Sequence, residues 1–274
     1  MARPRATPKD TSEEDPKSSR QFVTAVSRGF EVLRSFVPEG KPLGNQEIAA
    51  RSGLPKPTVS RIAFTLTELG YLVYSAETEK YRLGPGVLAF AQAFGNGTGI
   101  TELAKGPLQQ LADDTRGTVA IGQADRHEMV YIALHRSVSR IMLRQDIGSR
   151  IPMATTAMGQ AYLHALPAPR RKVRVEKLAE FMGDERQKFL EIHERTGEEL
   201  RTRGFCVVAG VWEHEINGAA TAFKLDDGRS VLAMNIGGPS FWLTEENLYG
   251  EIGDRMMETR EALIDAGILR LNLM

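Results

Sequence analysis

Residues 45–71 read NQEIAARSGLPKPTVSRIAFTLTELGY, and this stretch decides the fold of the N-terminal region. Asn45 can cap a short helix carrying Ile48, Ala49 and Ala50, because its side chain accepts from backbone N–H groups that the first turn leaves unpaired. Ser52-Gly53-Leu54 then reads as a tight turn. Pro55 sits where a helix start tolerates proline, since the first N–H groups have no intrahelical partner. Val59, Ile62, Ala63, Leu66 and Leu69 recur at i, i+3, i+4, i+7 and i+10, which predicts one continuous buried stripe. Gly70 is placed to end that helix as its left-handed stop.

Reading outward from this core, Phe22, Val26, Phe30 and Leu33 recur at helical spacing, and the segment 38–42, Pro-Glu-Gly-Lys-Pro, ends the run. On the other side, Tyr71-Leu72-Val73-Tyr74 favours a strand, Ser75 to Lys80 is polar and turn-like, and Tyr81-Arg82-Leu83 returns as a second strand. Helix, short helix, glycine turn, helix and hairpin form the order of a winged helix-turn-helix over residues 22–84. Residues 1–20 are rich in Pro, Ser, Thr and mixed charge and read as a disordered tail. An arm touching DNA phosphates through Arg3, Arg5 and Lys9 is the alternative.

A recognition helix presents its outward face to base edges in the major groove. The candidates here are Lys56, Thr58, Ser60, Arg61 and Thr65, with Lys80 and Arg82 on the hairpin. Arg61 suits a bidentate contact to guanine, and the others suit phosphate or mixed contacts. Residues 1–85 carry a net charge of +3 and residues 86–274 a net of −3. That polarity suits a polyanion partner at the N-terminal end.

Gly84-Pro85-Gly86 marks a boundary, and residues 85–98 read as a linker. Val87 to Phe94 is a short apolar helix, and Gly95-Asn96-Gly97-Thr98-Gly99 a flexible break. The glycines lack the Gly-Lys-Ser/Thr ending and the preceding strand of a phosphate loop. Beyond them the pattern turns to α/β. Helices are expected over Leu103–Arg116, Thr155–Leu166 and Lys188–Arg203. A last helix, capped by Thr244, should run to about Ala266. Strands are expected over Thr118–Ala124, Met129–His135, residues 141–145, Phe205–Val211, Ala219–Lys224 and Ser230–Ile236. Antiparallel strands flanked by helices make an α+β domain of the sensor kind.

Residues 22–84 resemble the DNA-binding domain of the IclR family of transcriptional regulators. The segments that carry the likeness are Ala25 to Leu33, Ile48 to Lys56, Thr58-Val59-Ser60-Arg61, Leu66 to Tyr71 and Tyr81-Arg82-Leu83-Gly84. One departure is Pro57, where the family usually has Ser or Thr; it deletes an N–H and a hydroxyl suited to phosphate. The likeness continues more loosely over residues 99–269, in Gly148 to Met153, Ala157-Met158-Gly159-Gln160-Ala161, Gly204-Phe205 and Asn235-Ile236-Gly237-Gly238-Pro239. The resemblance implies a GAF-like effector-binding domain that takes a small metabolite, often an organic or aromatic acid. It also implies a homodimer or homotetramer on operator DNA. Its implied effector-binding residues are Leu143, Ala157, Met158, Ile216, Gly218, Asn235 and Gly237. Backbone N–H groups at the start of the Thr155 helix would hold a carboxylate. Gly218 stands where many members have Cys, and Val207-Val208 where many have an acidic pair. A roomier and less acidic site is therefore expected.

Other classes fare worse. No apolar run approaches a membrane span. The single cysteine, Cys206, allows no intrachain disulfide and suits a reducing cytoplasm. His127-Glu128, His193-Glu194 and His214-Glu215 each lack the second histidine of a zinc-binding His-Glu-x-x-His. No metal or cofactor is expected, and the chain is not expected to be an enzyme. The alternatives are an enzyme acting on a small acid with a regulatory DNA-binding domain, and a purely architectural DNA-binding protein.

Overall fold

The structure, a computed structural model, describes residues 20–37, 39–137, 145–271 and 273. The tail expected over residues 1–20 lies outside them except for Arg20, as do Leu143 and residues 141–144 of the expected strand. The chain divides into two compact units, one ending at Gln92 and one starting at Ala93.

The first unit is built from α1 (Thr24–Arg34), α2 (Asn45–Ser52), α3 (Lys56–Glu68) and a hairpin of β1 (Leu72–Ser75) and β2 (Lys80–Leu83). Gly53 takes φ 69°, the left-handed turn between α2 and α3. Gly70 takes φ 78°. Its N–H bonds Thr67 O, and Tyr71 N–H bonds Leu66 O, so the end of α3 is closed by a Schellman pair. Val32, Phe36, Leu43, Ile48, Val59, Ala63, Leu66 and Leu72 are the buried core. Leu43 also bridges Tyr81, giving the hairpin a third strand-like neighbour.

The predicted stripes are narrower than expected. On α3, Ile62 is half-buried and Leu69 is 62% exposed. On α1, Val26 and Phe30 are exposed, while Val32 and Phe36 fill the core. Periodicity detects an apolar face but not what covers it, and none of the described residues of this unit covers that one. The glycine break is also corrected. A single helix, α4 (Gly86–Thr98), runs through Gly95, Asn96 and Gly97, and ends at Gly99 with φ 64°. Two helical glycines each disfavour the helix by about 1 kcal/mol relative to alanine, which does not stop it.

In the second unit the described strands form one antiparallel sheet of six. They are β3 (Thr118–Asp125), β4 (Glu128–Arg136), β5 (Arg150–Pro152), β6 (Cys206–Ala209), β7 (Ile216–Lys224) and β8 (Val231–Pro239), in the order β5-β4-β3-β8-β7-β6. Side chains alternate between two helical layers. Val119, Ile121, Phe223 and Met234 join a core with α5 (Ile100–Thr115), α9 (Glu245–Tyr249) and α10 (Glu251–Asp265). Ala120, Met129, Ala220 and Ala233 face the other core, with α6 (Ala157–Ala165), α7 (Ala168–Phe181) and α8 (Arg186–Arg203). The alanines let α6 approach the sheet closely.

The strand β5 and the helix α7 escape the periodicity reading, the first for being three residues long and the second for its dense charge. The expected last helix is two, broken at Gly250. Thr244 caps the first of them, accepting from Asn247 N–H.

Candidate functional site

On α3 the predicted outward residues divide by their partners. Lys56 Nζ donates to Gln46 Oε1 at 3.2 Å, and Ser60 Oγ accepts from Asn45 Nδ2 at 2.5 Å, so both lean towards α2. Thr58 is half-buried, and the exposed Thr65 turns its hydroxyl back to Arg61 O at 3.0 Å. Arg61 is exposed, and no hydrogen bond or ion pair among the described residues occupies its guanidinium. Pro57 lies in the first turn, where the helix tolerates it. On the hairpin, Lys80 pairs with Glu47 at 3.3 Å and Arg82 is exposed. The Gly44 N–H, and then Lys80, hold the Glu47 carboxyl below its ordinary pKa. An exposed pair of this kind contributes little, so Lys80 can exchange it for a phosphate. Phe64, unremarked in the sequence reading, is 64% exposed on the same helix.

In the second unit the strand edges and the start of α6 enclose a cavity. Of the predicted effector residues, Ala157, Ile216, Gly218, Asn235 and Gly237 line it. Met158 does not. It is fully buried, and a Cβ on Gly122 would run into its sulfur, so its side chain packs on the sheet one helical step away from the cavity. Leu143 lies outside the described residues. The sequence reading missed Tyr131, Thr155, Val208, Trp212 and Asn217, which complete the wall with Ile151 and Thr156. Tyr131 and Val208 sit on ordinary strands, and no local pattern distinguishes a cavity wall from core. Of the Val207-Val208 pair only Val208 faces the cavity; Val207 belongs to the opposite core.

The cavity holds only about 30 Å³, room for about two waters. Tyr131 and Trp212 are the bulkiest side chains on its wall. Gly218 faces Gly237 across the ladder, and a Cβ there would stand 3.0 Å from Ile236 O, so a side chain at this position needs a small shift of the neighbouring strand.

Among the described residues, no charged side chain lines the cavity. Burial pushes the Tyr131 phenol up to about 12, partly offset by the neighbouring Asn235 amide, so it stays neutral. Asn235 is 8% exposed, and its Oδ1 has no hydrogen-bond partner among the described residues. A buried acceptor left unpaired costs about 1–3 kcal/mol, which is unusual enough to need a reason.

The opening turn of α6 is capped by Thr156, whose hydroxyl accepts from Gly159 N–H and donates to Pro152 O. The N–H groups of Ala157 and Met158 have no carbonyl one turn back to bond. They and the helix dipole make this end of the cavity favourable to an anion.

A buried polar chain holds α6 in place. Gln160 Nε2 donates to Ala154 O at 2.6 Å, and His193 Nδ1 meets Gln160 Oε1 at 2.9 Å. His164 Nε2 meets His193 O at 2.9 Å, and the two imidazoles stack at 4.0 Å. Burial lowers both histidines, His193 to about 4. Cys206 is fully buried against Ala157 O, and burial pushes its thiol up. Among the described residues, no His/Cys/Asp/Glu group is arranged for a metal, and no helix is long and apolar enough to cross a membrane.

Comparison with known proteins agrees with both halves of this description. Residues 25–76 match the IclR helix-turn-helix domain, and residues 92–263 the bacterial transcriptional regulator IclR C-terminal domain. HTH-type transcriptional regulator TsaQ1/TsaQ2 of Comamonas testosteroni is 29% identical over 86% of this chain and 85% of that protein. The crystal structure of an IclR family transcriptional regulator from Brucella abortus superposes with a TM-score of 0.83 at 37% identity, covering 91% of this chain and 95% of that one. An IclR homologue from Microbacterium hydrocarbonoxydans, crystallised with 4-hydroxybenzoate, shares the fold with a TM-score of 0.64 at 17% identity, covering 89% of this chain and 98% of that one. The chain belongs to the IclR family and is a DNA-binding transcriptional regulator.

Proposed function

We propose that this regulator grips a two-fold symmetric operator as a dimer, and that a small organic acid entering the α6 cavity alters that grip. The observation that carries the effector half is the buried, unpaired Asn235 Oδ1. With Tyr131 beside it, the cavity offers one acceptor and one neutral phenol. A ligand hydroxyl satisfies both, donating to Asn235 and accepting from Tyr131. The N–H group of Ala157, in the opening turn of α6, takes a carboxylate at the other end. Among the described residues no basic side chain stands on the wall to take a second negative charge, which favours a monoacid. A hydroxylated monocarboxylic acid fits this description, and 4-hydroxybenzoate, bound by the Microbacterium hydrocarbonoxydans homologue, is the first compound to try.

The cavity must widen to admit such a ligand. Trp212 stands in the irregular connection between β6 and β7 and is the wall best placed to move. The same features favour sensing over catalysis. The Cys206 thiol is held protonated, and among the described residues no charged group lines the cavity to move a proton. The chain then acts where its DNA is, in the cytoplasm, without a cofactor.

The dimer half rests on the exposed apolar side chains of the first unit. Val26, Phe30, Leu69 and Phe90 border one open groove of about 960 Å³. Their exposures run from 55% to 62%, and a large apolar patch on a soluble protein marks a contact surface. A second copy of the chain covers its α1 and Phe90 side in this reading, leaves the Arg61 and Phe64 rim to the DNA, and pairs the two recognition helices.

The test is a thermal-shift panel on the full chain with benzoate, 4-hydroxybenzoate and a dicarboxylate. The hydroxylated monoacid should raise Tm most, and Asn235→Leu should remove its advantage over benzoate. Equal responses to all three, or an unchanged preference in the variant, would overturn the effector assignment.

A further inference from the structure

One apolar side chain on α3 belongs neither to the core nor to the listless polar surface of a solvated helix. Phe64 is 64% exposed. The core side of α3 is fixed by the buried Val59, Ala63 and Leu66. The side next to α2 is fixed by Lys56 and Ser60, bonded to Gln46 and Asn45. Phe64 follows Ser60 by four residues and Arg61 by three, so on a helix it lies beside both. It therefore stands on the outward face, between the serine tied to α2 and the unoccupied Arg61 guanidinium. From Lys56 to Phe64 the helix rises about 12 Å, which is the width of the major groove. Arg61 and Phe64 thus address neighbouring positions of one groove.

We infer that Phe64 is a specificity-determining residue of the operator contact and that it reads the C5-methyl group of a thymine next to the base pair read by Arg61. The inference rests on the DNA-binding function and adds a named contact to it. Most base-edge groups in the major groove are hydrogen-bond donors or acceptors, and an aromatic ring laid on them leaves them unpaired. The thymine methyl is the apolar exception. A phenyl ring over it buries apolar surface on both sides, while cytosine at the same place leaves an amino group without an acceptor. Phe64 also borders the groove that contains Val26 and Phe30, so the rival occupant is a second copy of this chain.

The test begins by selecting tight-binding duplexes from random DNA with the full-length protein. Each thymine of the selected half-site is then replaced by deoxyuridine, which removes only the methyl. At one symmetry-related thymine the wild-type protein should lose about fourfold in affinity per half-site, the worth of one buried methyl-sized group. Phe64→Ala should bind the thymine and deoxyuridine operators equally, and Phe64→Leu should keep part of the preference. Sedimentation and melting should match wild type for both variants. The inference is overturned if no thymine shows this coupling, or if Phe64→Ala dissociates the protein while the deoxyuridine penalty persists. A selection that enriches no sequence would instead overturn specific DNA reading as a whole, and this contact with it.

Discussion

Arg61 is the residue on which sequence and structure meet most directly. The helical pattern puts it outward, and the structure leaves its guanidinium without a partner among the described residues. Arg61→Ala should weaken specific operator binding by about 1–3 kcal/mol, the range for one bidentate base contact. Non-specific binding should fall less. Equal losses in a salt-matched titration would make Arg61 a phosphate contact. Phe64 shows what the pattern could not weigh. An apolar residue off the stripe is noise to a periodicity count, and only the packed neighbours reveal that it is exposed. Asn235 was legible as a polar residue in a strand, but its lack of a partner was not, because that depends on β8 lying between β3 and β7 in the sheet. At His164 and His193 the direction of pH dependence can be stated. Burial lowers both below the ordinary histidine value, His193 to about 4. The unfolded chain then binds more protons than the folded one between about pH 6.5 and 4. Stability is full above that window and falls as pH drops through it. His193→Asn should flatten the fall in Tm from pH 7 to pH 4, and an unchanged slope would show that other groups set it.

Among the elements, α6 bears most on the effector site. It is positioned by a backbone contact that admits no side chain: a Cβ on Gly159 would collide with the Met153 carbonyl. Gly159→Ala should therefore push the opening turn of α6 off β5 and destabilise the chain by about 1–3 kcal/mol, the usual penalty of overpacking. It should also blunt the response to ligand, since the Ala157 N–H group moves with that turn; a chemical-melt series checks the first effect and operator release the second. The connection carrying Trp212 offers a readout of the cavity itself. The chain has two tryptophans, so in Trp242→Phe the emission of Trp212 alone should change when an acid enters. A saturating ligand that leaves that emission unchanged would place the opening elsewhere. Helix α3 and its hairpin were legible because a proline start, a glycine stop and a period of 3.6 agree there. Helix α4 was not, because closely spaced glycines are a loop signal whose small local penalty the helix overrides.

For the whole molecule, the two units divide the labour that the charge distribution suggests, with the net positive part reading DNA. The α+β class and the order of the two domains were legible from the sequence. The closure of the sheet was less so, since β5 is short and residues 138–144 lie outside the described part. The exposed Val26 and Phe30 are where a single chain is least informative about itself: the stripe was readable and its cover was not. Phe30→Glu should put a charge into the face assigned to a second copy. It should shift the protein to monomer in sedimentation and lower operator affinity with no change in monomer fold. A variant that stays dimeric would move the contact off this face.

The measurement that goes furthest is fluorescence anisotropy of the full-length protein on a selected operator, titrated with 4-hydroxybenzoate and with benzoate in parallel. Tight binding that resists a scrambled competitor, and that shifts at lower concentration with the hydroxylated acid, is the expected result. Binding equal for operator and competitor, or operator binding indifferent to both acids, would contradict it.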